Sequence, residues 1–181
     1  MSAMTPTRST WGRCAILSIA LATLTAHGSA AFATTQQKPA ANRPSPQTTN
    51  VLFLCPHGAA KSVLASAYFQ RSAKERGLDV RVDAAGIEPQ EALSPVVVEH
   101  LRKNGYELPI IKPRAVTSQD VAGADVVVSM GCDLSGIPVG ADKLRTWDDV
   151  PGPSEDLAQA EKVIRRRVVA LVDELTNRSR K

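Results

Sequence analysis

The chain has 181 residues, a formal net charge of +4 and an aromatic content of 4%. This length accommodates one globular domain with an extension, since single domains commonly contain roughly 100–200 residues. The scarcity of aromatic side chains argues against single-stranded nucleic acid binding by base stacking. The cluster Arg165-Arg166-Arg167 is expected to be the solvated face of a helix, so the sequence gives no case for a nucleic acid partner.

Residues 1–33 have the pattern of a secretory signal peptide. Arg8 and Arg13 precede an apolar stretch at residues 14–22, and Ala31-Phe32-Ala33 places small residues at the spacing of a cleavage site. We expect export, to the periplasm or out of the cell, after cleavage near Ala33. An uncleaved membrane anchor is the alternative, although the apolar stretch is short for a span, which needs about 20 residues.

The chain after this segment divides into a linker and a domain. Residues 34–49 are rich in Gln, Pro and Thr without periodicity, which predicts a disordered linker. The predicted domain, at 50–178, alternates strands and helices. In chain order these are a strand at 51–54, a helix at about 62–76, a strand at 78–84, a helix from Pro95 that ends before Gly105, a short helix after Thr117, strands at 126–130 and 144–147, and a final helix that begins at 154–156. Alternation of this kind predicts an α/β domain with a parallel sheet, helices on both faces, and ligands at the carboxyl ends of the strands.

Cys55 stands between the first strand and the first helix. A loop of small residues, Pro56-His57-Gly58-Ala59-Ala60-Lys61, follows it and leads to Ser62. Such a loop points backbone N–H groups inward, and the helix N-terminus adds positive potential, so all eight residues are candidates for binding an oxyanion. The same field favours a thiolate, which makes Cys55 a candidate nucleophile that the Ser62 hydroxyl stabilises, unless that hydroxyl caps the helix. A buried structural cysteine is the alternative.

The run Val51-Leu52-Phe53-Leu54-Cys55, followed after five residues by Lys61 and Ser62, resembles the signature of the low-molecular-weight protein-tyrosine-phosphatases and of the thioredoxin-coupled arsenate reductases that share their fold. The likeness extends over residues 50–175. Its other segments are Ala84-Ala85-Gly86, the run 126–132, and Trp147 with two aspartates before a proline-rich turn. The resemblance implies a three-layer fold in which four parallel strands have the order 2-1-3-4.

Three departures from the family pattern concern the expected site. The family has arginine where this chain has Lys61, asparagine where it has Gly58, and an aspartate directly before proline where it has Gly152. Lysine forfeits the bidentate contact that a guanidinium makes with two oxygens, which is expected to weaken activity rather than to abolish it. Glycine preserves a left-handed conformation that asparagine also tolerates, but it loses a side-chain hydrogen bond.

Asp149 is the candidate general acid, and Asp148 is the alternative acid. A leaving phenolate or alkoxide needs a proton from a group within hydrogen-bond reach, and loop conformation can absorb an offset of one or two residues. The competing interpretation is that both aspartates only solvate a turn.

Cys132 is a candidate redox partner of Cys55. The implied strand order places the third strand beside the first, so both thiols would emerge at the same end of adjacent strands. Met130-Gly131-Cys132 resembles the first resolving-cysteine segment of the arsenate reductases. The second relay cysteine is absent, since residues 133–138 contain none.

These features favour a phosphomonoester hydrolase of the phosphotyrosine type that forms a phosphocysteine at Cys55. Hydrolysis is placed first because it needs no electrons, whereas an exported reductase would meet oxidising surroundings. The alternatives are an arsenate reductase that uses Cys55 with Cys132 or an external thiol, and a non-catalytic oxyanion-binding protein. The expected partners are a phosphate-bearing or arsenate substrate and, for reduction, an external thiol. No cofactor and no metal are expected, because the histidines are unclustered and the cysteines are far apart.

Overall fold

A computed structural model describes residues 48–180 of the chain. The predicted signal peptide and the predicted linker, apart from its last two residues, lie outside this range. The elements are β1 (Thr49–Cys55), α1 (Lys61–Glu75), β2 (Val80–Gly86), α2 (Pro95–Lys103), α3 (Ser118–Gly123), β3 (Val126–Ser129), β4 (Leu144–Thr146) and α4 (Leu157–Ser179). Among the helices of this range, none has the length and apolarity that a membrane crossing requires.

The four strands form one parallel sheet in the order β2-β1-β3-β4. This confirms the predicted α/β fold and the strand order that the resemblance implied. The central strand β3 is buried along its whole length, and β1 is buried from Val51 onward, because helices cover both faces of the sheet. The edge strands β2 and β4 are only partly covered.

Successive residues of β1 belong to two apolar clusters, one on each face of the sheet. Phe53 packs in the cluster that contains residues of α1, α2 and α4, whereas Leu52 and Leu54 pack in the cluster that contains residues of α3. This alternation follows from the two-residue period of a strand. Cys55 is in phase with Phe53 and belongs to the same cluster, so the strand period directs the thiol to the side of the sheet that carries α1.

The predicted helix boundaries agree with the structure to within a few residues. Helix α1 begins at Lys61, one residue before the predicted start, and its N-cap residue Ala60 makes no side-chain capping bond. Gly77 follows this helix with a φ of 68°, as expected for a glycine that ends a helix. At α3, which begins after Thr117 as predicted, Thr117 and Asp120 form a complete capping box.

Candidate active site

The loop at residues 55–62, here called the anion loop, is held from outside through its carbonyl groups. Three backbone N–H groups of the segment 88–94 donate to these carbonyls: Glu88 to Pro56 at 2.9 Å, Gln90 to His57 at 3.1 Å, and Ser94 to Ala59 at 2.9 Å. The N–H groups of residues 57–63 donate to no other residue within 48–180. A run of unpaired amides at a helix N-terminus is the arrangement that binds an anion.

Two glycines let the anion loop approach the end of β2 closely. Gly58 has a φ of 61°, and a Cβ atom added to it would lie 2.7 Å from the backbone nitrogen of Gly86. A Cβ atom added to Gly86 would lie 2.5 Å from the backbone nitrogen of Gly58. Neither position accepts a side chain without movement of the backbone. In this chain, the asparagine of the family pattern would therefore collide with β2.

Cys55 lies at the floor of the anion loop, with 3% of its surface exposed. Its Sγ is 3.2 Å from the Oγ of Ser62, which is itself fully buried. Of the two roles considered for Ser62, the structure selects contact with the thiol over helix capping, since no side chain caps α1. A hydroxyl at this distance donates to a thiolate and stabilises its charge.

Lys61 links the anion loop to the loops that follow β3 and β4. Its Nζ donates to the backbone carbonyl of Val150 at 3.4 Å. The same Nζ is 3.4 Å from the point where a Cβ atom on Gly131 would stand. The ammonium group of this first residue of α1 thus contacts the segment that carries the two aspartates.

The two candidate acids point to different partners. Asp148 Oδ1 accepts a hydrogen bond from the backbone N–H of Gly131 at 3.1 Å. The carboxylate of Asp149 forms ion pairs with Arg167 at 2.7 Å and with Arg166 at 3.5 Å. Asp148 therefore lies beside Gly131, which also neighbours Lys61, whereas Asp149 is engaged by α4. The acid roles of both aspartates remain predictions.

The cluster Arg165-Arg166-Arg167 is less solvated than expected. Only Arg166 is largely exposed, with 74% of its side chain accessible. The guanidinium of Arg165 lies 4.1 Å from the centre of the Tyr68 ring, and Arg167 pairs with Asp149. No sequence pattern indicates the pair of Arg167 with Asp149, because the two residues are 18 positions apart and only the packing of α4 brings them together.

Cys132 lies three residues after the end of β3, the strand that pairs with the one carrying Cys55. Leu54 is in register with Ser129, and the N–H of Met130 donates to the carbonyl of Leu54 at 2.9 Å. Burial raises the pKa of the Cys132 thiol above its ordinary value; a hydrogen bond from Ser129 opposes this effect, and the nearby charge of Cys55 adds to it. Both cysteines are free, and Cys132 is the more accessible of the two.

Two other residues near the anion loop, His57 and Trp147, make contacts within the protein. His57 is exposed, with its Nδ1 3.3 Å from the carbonyl oxygen of Glu88. Trp147 is 4% exposed and packs edge-on against Phe53 with 5.8 Å between ring centres. Within residues 48–180, no three His, Cys, Asp or Glu side chains are grouped so as to hold a metal ion.

The fold and the anion loop together define an α/β protein with a cysteine held beneath unpaired backbone amides. The family model described as "Low molecular weight phosphotyrosine protein phosphatase" matches residues 50–137. A protein of Halobacterium salinarum named "Putative arsenate reductase" is 30% identical over 132 residues, which are 70% of this chain and 93% of that protein. The chain belongs to the family of low-molecular-weight phosphotyrosine protein phosphatases and arsenate reductases.

Solved structures similar to this chain carry both kinds of name. An arsenate reductase of Archaeoglobus fulgidus superposes with a TM-score of 0.54 and 30% identity, covering 68% of this chain and 98% of that one. A low-molecular-weight protein tyrosine phosphatase of T. tengcongensis superposes with a TM-score of 0.59 and 26% identity, covering 72% of this chain and 99% of that one. Family membership therefore indicates an enzyme without selecting its reaction.

Proposed function

We propose that the chain is a thiol enzyme that acts on a tetrahedral oxyanion and that its reaction is the reduction of arsenate to arsenite. The observation that carries this proposal is the second free thiol, Cys132, in the loop that follows β3, the strand adjacent to that of Cys55. A hydrolase needs one nucleophilic sulfur, whereas reduction consumes the electrons of two.

The proposed reaction uses the residues of the anion loop in sequence. The unpaired amides and Lys61 bind the arsenate oxygens, and the Cys55 thiolate attacks arsenic. An S–As bond forms, and one hydroxyl group of the arsenate takes a proton from solvent and leaves as water. Sγ of Cys132 then attacks Sγ of Cys55. An S–S bond forms, the electron pair of the S–As bond stays on arsenic, and arsenite departs. Two thiols lose two electrons and arsenic gains two, so an external thiol must reopen the disulfide.

The acid segment also supports reduction over hydrolysis. Gly152 stands before Pro153, where the family pattern has its aspartate. A phosphatase needs an acid within reach of the leaving oxygen, and the carboxylate of Asp149 is engaged by two arginines of α4. In the proposed reduction the leaving group is a hydroxyl that becomes water, and its proton can come from solvent. In addition, the two proteins compared above at 30% identity are both named as arsenate reductases.

Phosphomonoester hydrolysis, which the sequence analysis placed first, is the second candidate. The position of Asp148 supports hydrolysis. Its carboxylate accepts a hydrogen bond from the N–H of Gly131, and the ammonium group of Lys61 lies close to the same glycine. In this reaction Cys55 attacks phosphorus, the leaving oxygen takes a proton from the aspartate, and water releases the phosphate. Hydrolysis is favoured if the protein is exported, and export depends on residues outside the described range.

The deciding experiment compares both reactions in reduced protein. Arsenite release is measured with dithiothreitol as the thiol donor, and hydrolysis is measured with an aryl phosphate, for the wild type, Cys55→Ser and Cys132→Ser. We expect Cys55→Ser to reduce both rates to the background of free dithiothreitol or buffer. Cys132→Ser should no longer release arsenite in proportion to the dithiothreitol that is oxidised. It should retain any hydrolysis that the wild type shows.

The opposite pattern would support the second candidate: hydrolysis that depends on Cys55, with no arsenite above background. Stoichiometric phosphate binding without turnover of either substrate would instead support the non-catalytic oxyanion-binding protein. Lys61→Met tests the binding site in every case, since it should weaken phosphate binding whether or not any chemistry follows.

We also propose that the protein is exported, as the pattern at residues 1–33 predicts. The reductant would then have to be a thiol of the same compartment. Mass spectrometry of the protein recovered from an exporting host should show a chain that begins near Thr34. A chain that retains residues 1–33 would contradict cleavage.

A further inference from the structure

We infer that an external thiol opens the Cys55–Cys132 disulfide by attacking Sγ of Cys132, with Cys55 as the leaving sulfur. This inference deepens the proposed function, because it supplies the step that returns the oxidised enzyme to its reduced form. The exchange itself can be observed without arsenate, so it is tested separately from the reduction of arsenate.

The need for direct attack follows from the cysteine content of the chain. The three cysteines are Cys14, Cys55 and Cys132. Cys14 belongs to residues 1–33, which the proposed cleavage removes, and residues 133–180 contain no further thiol. No cysteine after Cys132 can take over the disulfide and present it elsewhere. The electrons must therefore enter at one of the two sulfurs that formed the bond.

Accessibility favours Cys132 as the sulfur that is attacked. Thiol exchange requires the incoming thiolate to approach along the S–S axis from the side opposite the leaving sulfur. Cys55 is 3% exposed at the floor of the anion loop, with the buried Ser62 against it. Cys132 is partly exposed and lies between the exposed residues Gly131 and Asp133. A reductant reaches Cys132 without entering the anion loop.

The environment of the leaving sulfur favours the same direction. Attack on Cys132 releases Cys55 as a thiolate, 3.2 Å from the Ser62 hydroxyl and beneath the unpaired amides of residues 57–63. Attack on Cys55 would instead release Cys132, which lies outside the anion loop. Exchange is faster when the departing thiolate is the better stabilised one. Sterics and leaving-group stability thus select the same sulfur.

The electron balance of the exchange is complete with two equivalents of thiol. One thiolate bonds to Sγ of Cys132, the S–S bond breaks, and its electron pair leaves with Cys55. A second thiol attacks the sulfur of the bound reductant, which releases Cys132 as a thiolate and the reductant as its disulfide. The donor is thus a pair of small thiols or one protein with two thiols.

The test traps the mixed disulfide on the full chain. In a Cys14→Ser background, the protein is oxidised with diamide and then exposed briefly to one of two probes. One arm uses glutathione, and the other uses a thioredoxin in which the second active-site cysteine is replaced by serine. After an acid quench and digestion, mass spectrometry locates the probe. We expect adducts on Cys132 to exceed those on Cys55 by at least about tenfold in the arm that reacts.

A companion variant tests the leaving-group argument. Ser62→Ala should slow adduct formation about tenfold, because it removes a hydrogen bond to the departing thiolate. Ser135→Ala, in the exposed loop after Cys132, is the matched control and should leave the rate unchanged.

Three results would overturn the inference: equal or greater labelling of Cys55, no diamide-induced disulfide, or no adduct with either probe. Reaction with glutathione alone would identify a small thiol as the donor, and reaction with the thioredoxin alone would identify a dithiol protein. If Cys132 is labelled but no arsenite is released in the earlier assay, the proposed function fails and this inference stands. If arsenite is released but Cys55 carries the adduct, the proposed function stands and this inference fails.

Discussion

At the scale of single residues, Lys61 does more than replace the arginine of the family pattern. Its ammonium group donates to the carbonyl of Val150, 89 positions further along the chain. Lysine is a point charge with three donors, so it can bind one oxyanion oxygen and a loop carbonyl, but it cannot grip two oxygens as a planar fork does. Anion binding and the conformation of the acid segment are thereby coupled through one side chain.

Removal of this charge should impair the reaction strongly. A hydrogen bond to a charged group contributes about 1.5–3 kcal/mol, so Lys61→Met is expected to lower kcat/KM for the oxyanion substrate by about 10–100-fold. Steady-state kinetics of purified protein provide the measurement. Lys74→Met, on the exposed last turn of the same helix, is the control and should change little. Equal kinetics for Lys61→Met and wild type would remove Lys61 from the site.

At the scale of elements, the anion loop owes its shape to the end of β2. Gly86 closes the contact with Gly58 from one side, and its own N–H donates to the carbonyl of Arg114 at 2.9 Å. The anion loop, which connects β1 to α1, is thus packed against the end of a neighbouring strand that lies far from it in sequence. This packing explains why a loop of small residues keeps one conformation.

An added methyl group at Gly86 should test this packing. Gly86→Ala places a carbon 2.5 Å from the Gly58 nitrogen, so the backbone must move. We expect the free energy of unfolding to fall by about 1–3 kcal/mol, as for other overpacked sites, and activity to fall with it. Urea unfolding measures the change. Gly136→Ala, where an added Cβ atom meets nothing within 4 Å, is the matched control and should show no loss of stability.

The start of α3 is tied to β2 through Arg114. Its guanidinium bonds Asp120 at 2.7 Å and Asp83 at 2.6 Å, while Thr117 and Asp120 complete the capping box. Burial disfavours the charged form of Asp120, but hydrogen bonds from Arg114 and Thr117 outweigh it, so the pKa of this carboxyl lies below its ordinary value of 3.8. The charged carboxylate is therefore part of what stabilises the fold.

Stability conferred by Asp120 should depend on pH in one direction. Because its pKa is lower in the folded state, the stabilisation is complete above pH 3.8 and is lost as the pH falls through the folded-state value. Asp120→Ala is expected to cost about 1 kcal/mol near neutral pH, and the difference from wild type should shrink below pH 3.8. Unfolding curves across this range measure it. Glu75→Ala, which removes an exposed carboxylate on α1 that pairs with no other described residue, should show neither effect.

At the scale of the whole molecule, an anion that binds only the folded chain must stabilise it. The free energy of unfolding should rise by about 2.7 kcal/mol when phosphate is present at 100 times its dissociation constant. Thermal unfolding with phosphate, compared with chloride at equal ionic strength, provides the measurement. The Lys61→Met variant should gain less. Equal shifts with chloride and phosphate would show that no built oxyanion site exists.

Much of the fold and of the site could be predicted from short-range features. The strand period that directs Cys55, the small residues of its loop, the capping box at Thr117 and the glycine after α1 all depend on neighbours within a few positions. Such interactions are visible in a one-dimensional pattern because the chain itself brings the groups together. The strand order could not be predicted from local patterns, because only the family resemblance implied it.

By itself, the sequence determined the α/β alternation, the thiol at the end of β1, and the presence of a second cysteine without a third to follow it. Only the tertiary structure decided that Gly86 presses on Gly58, that Lys61 donates to Val150, and that Arg167 rather than solvent meets Asp149. The physical reason is that these contacts join residues 18 or more positions apart in the chain. Their geometry comes from how helices and strands pack on one another, and no local preference of the residues encodes it.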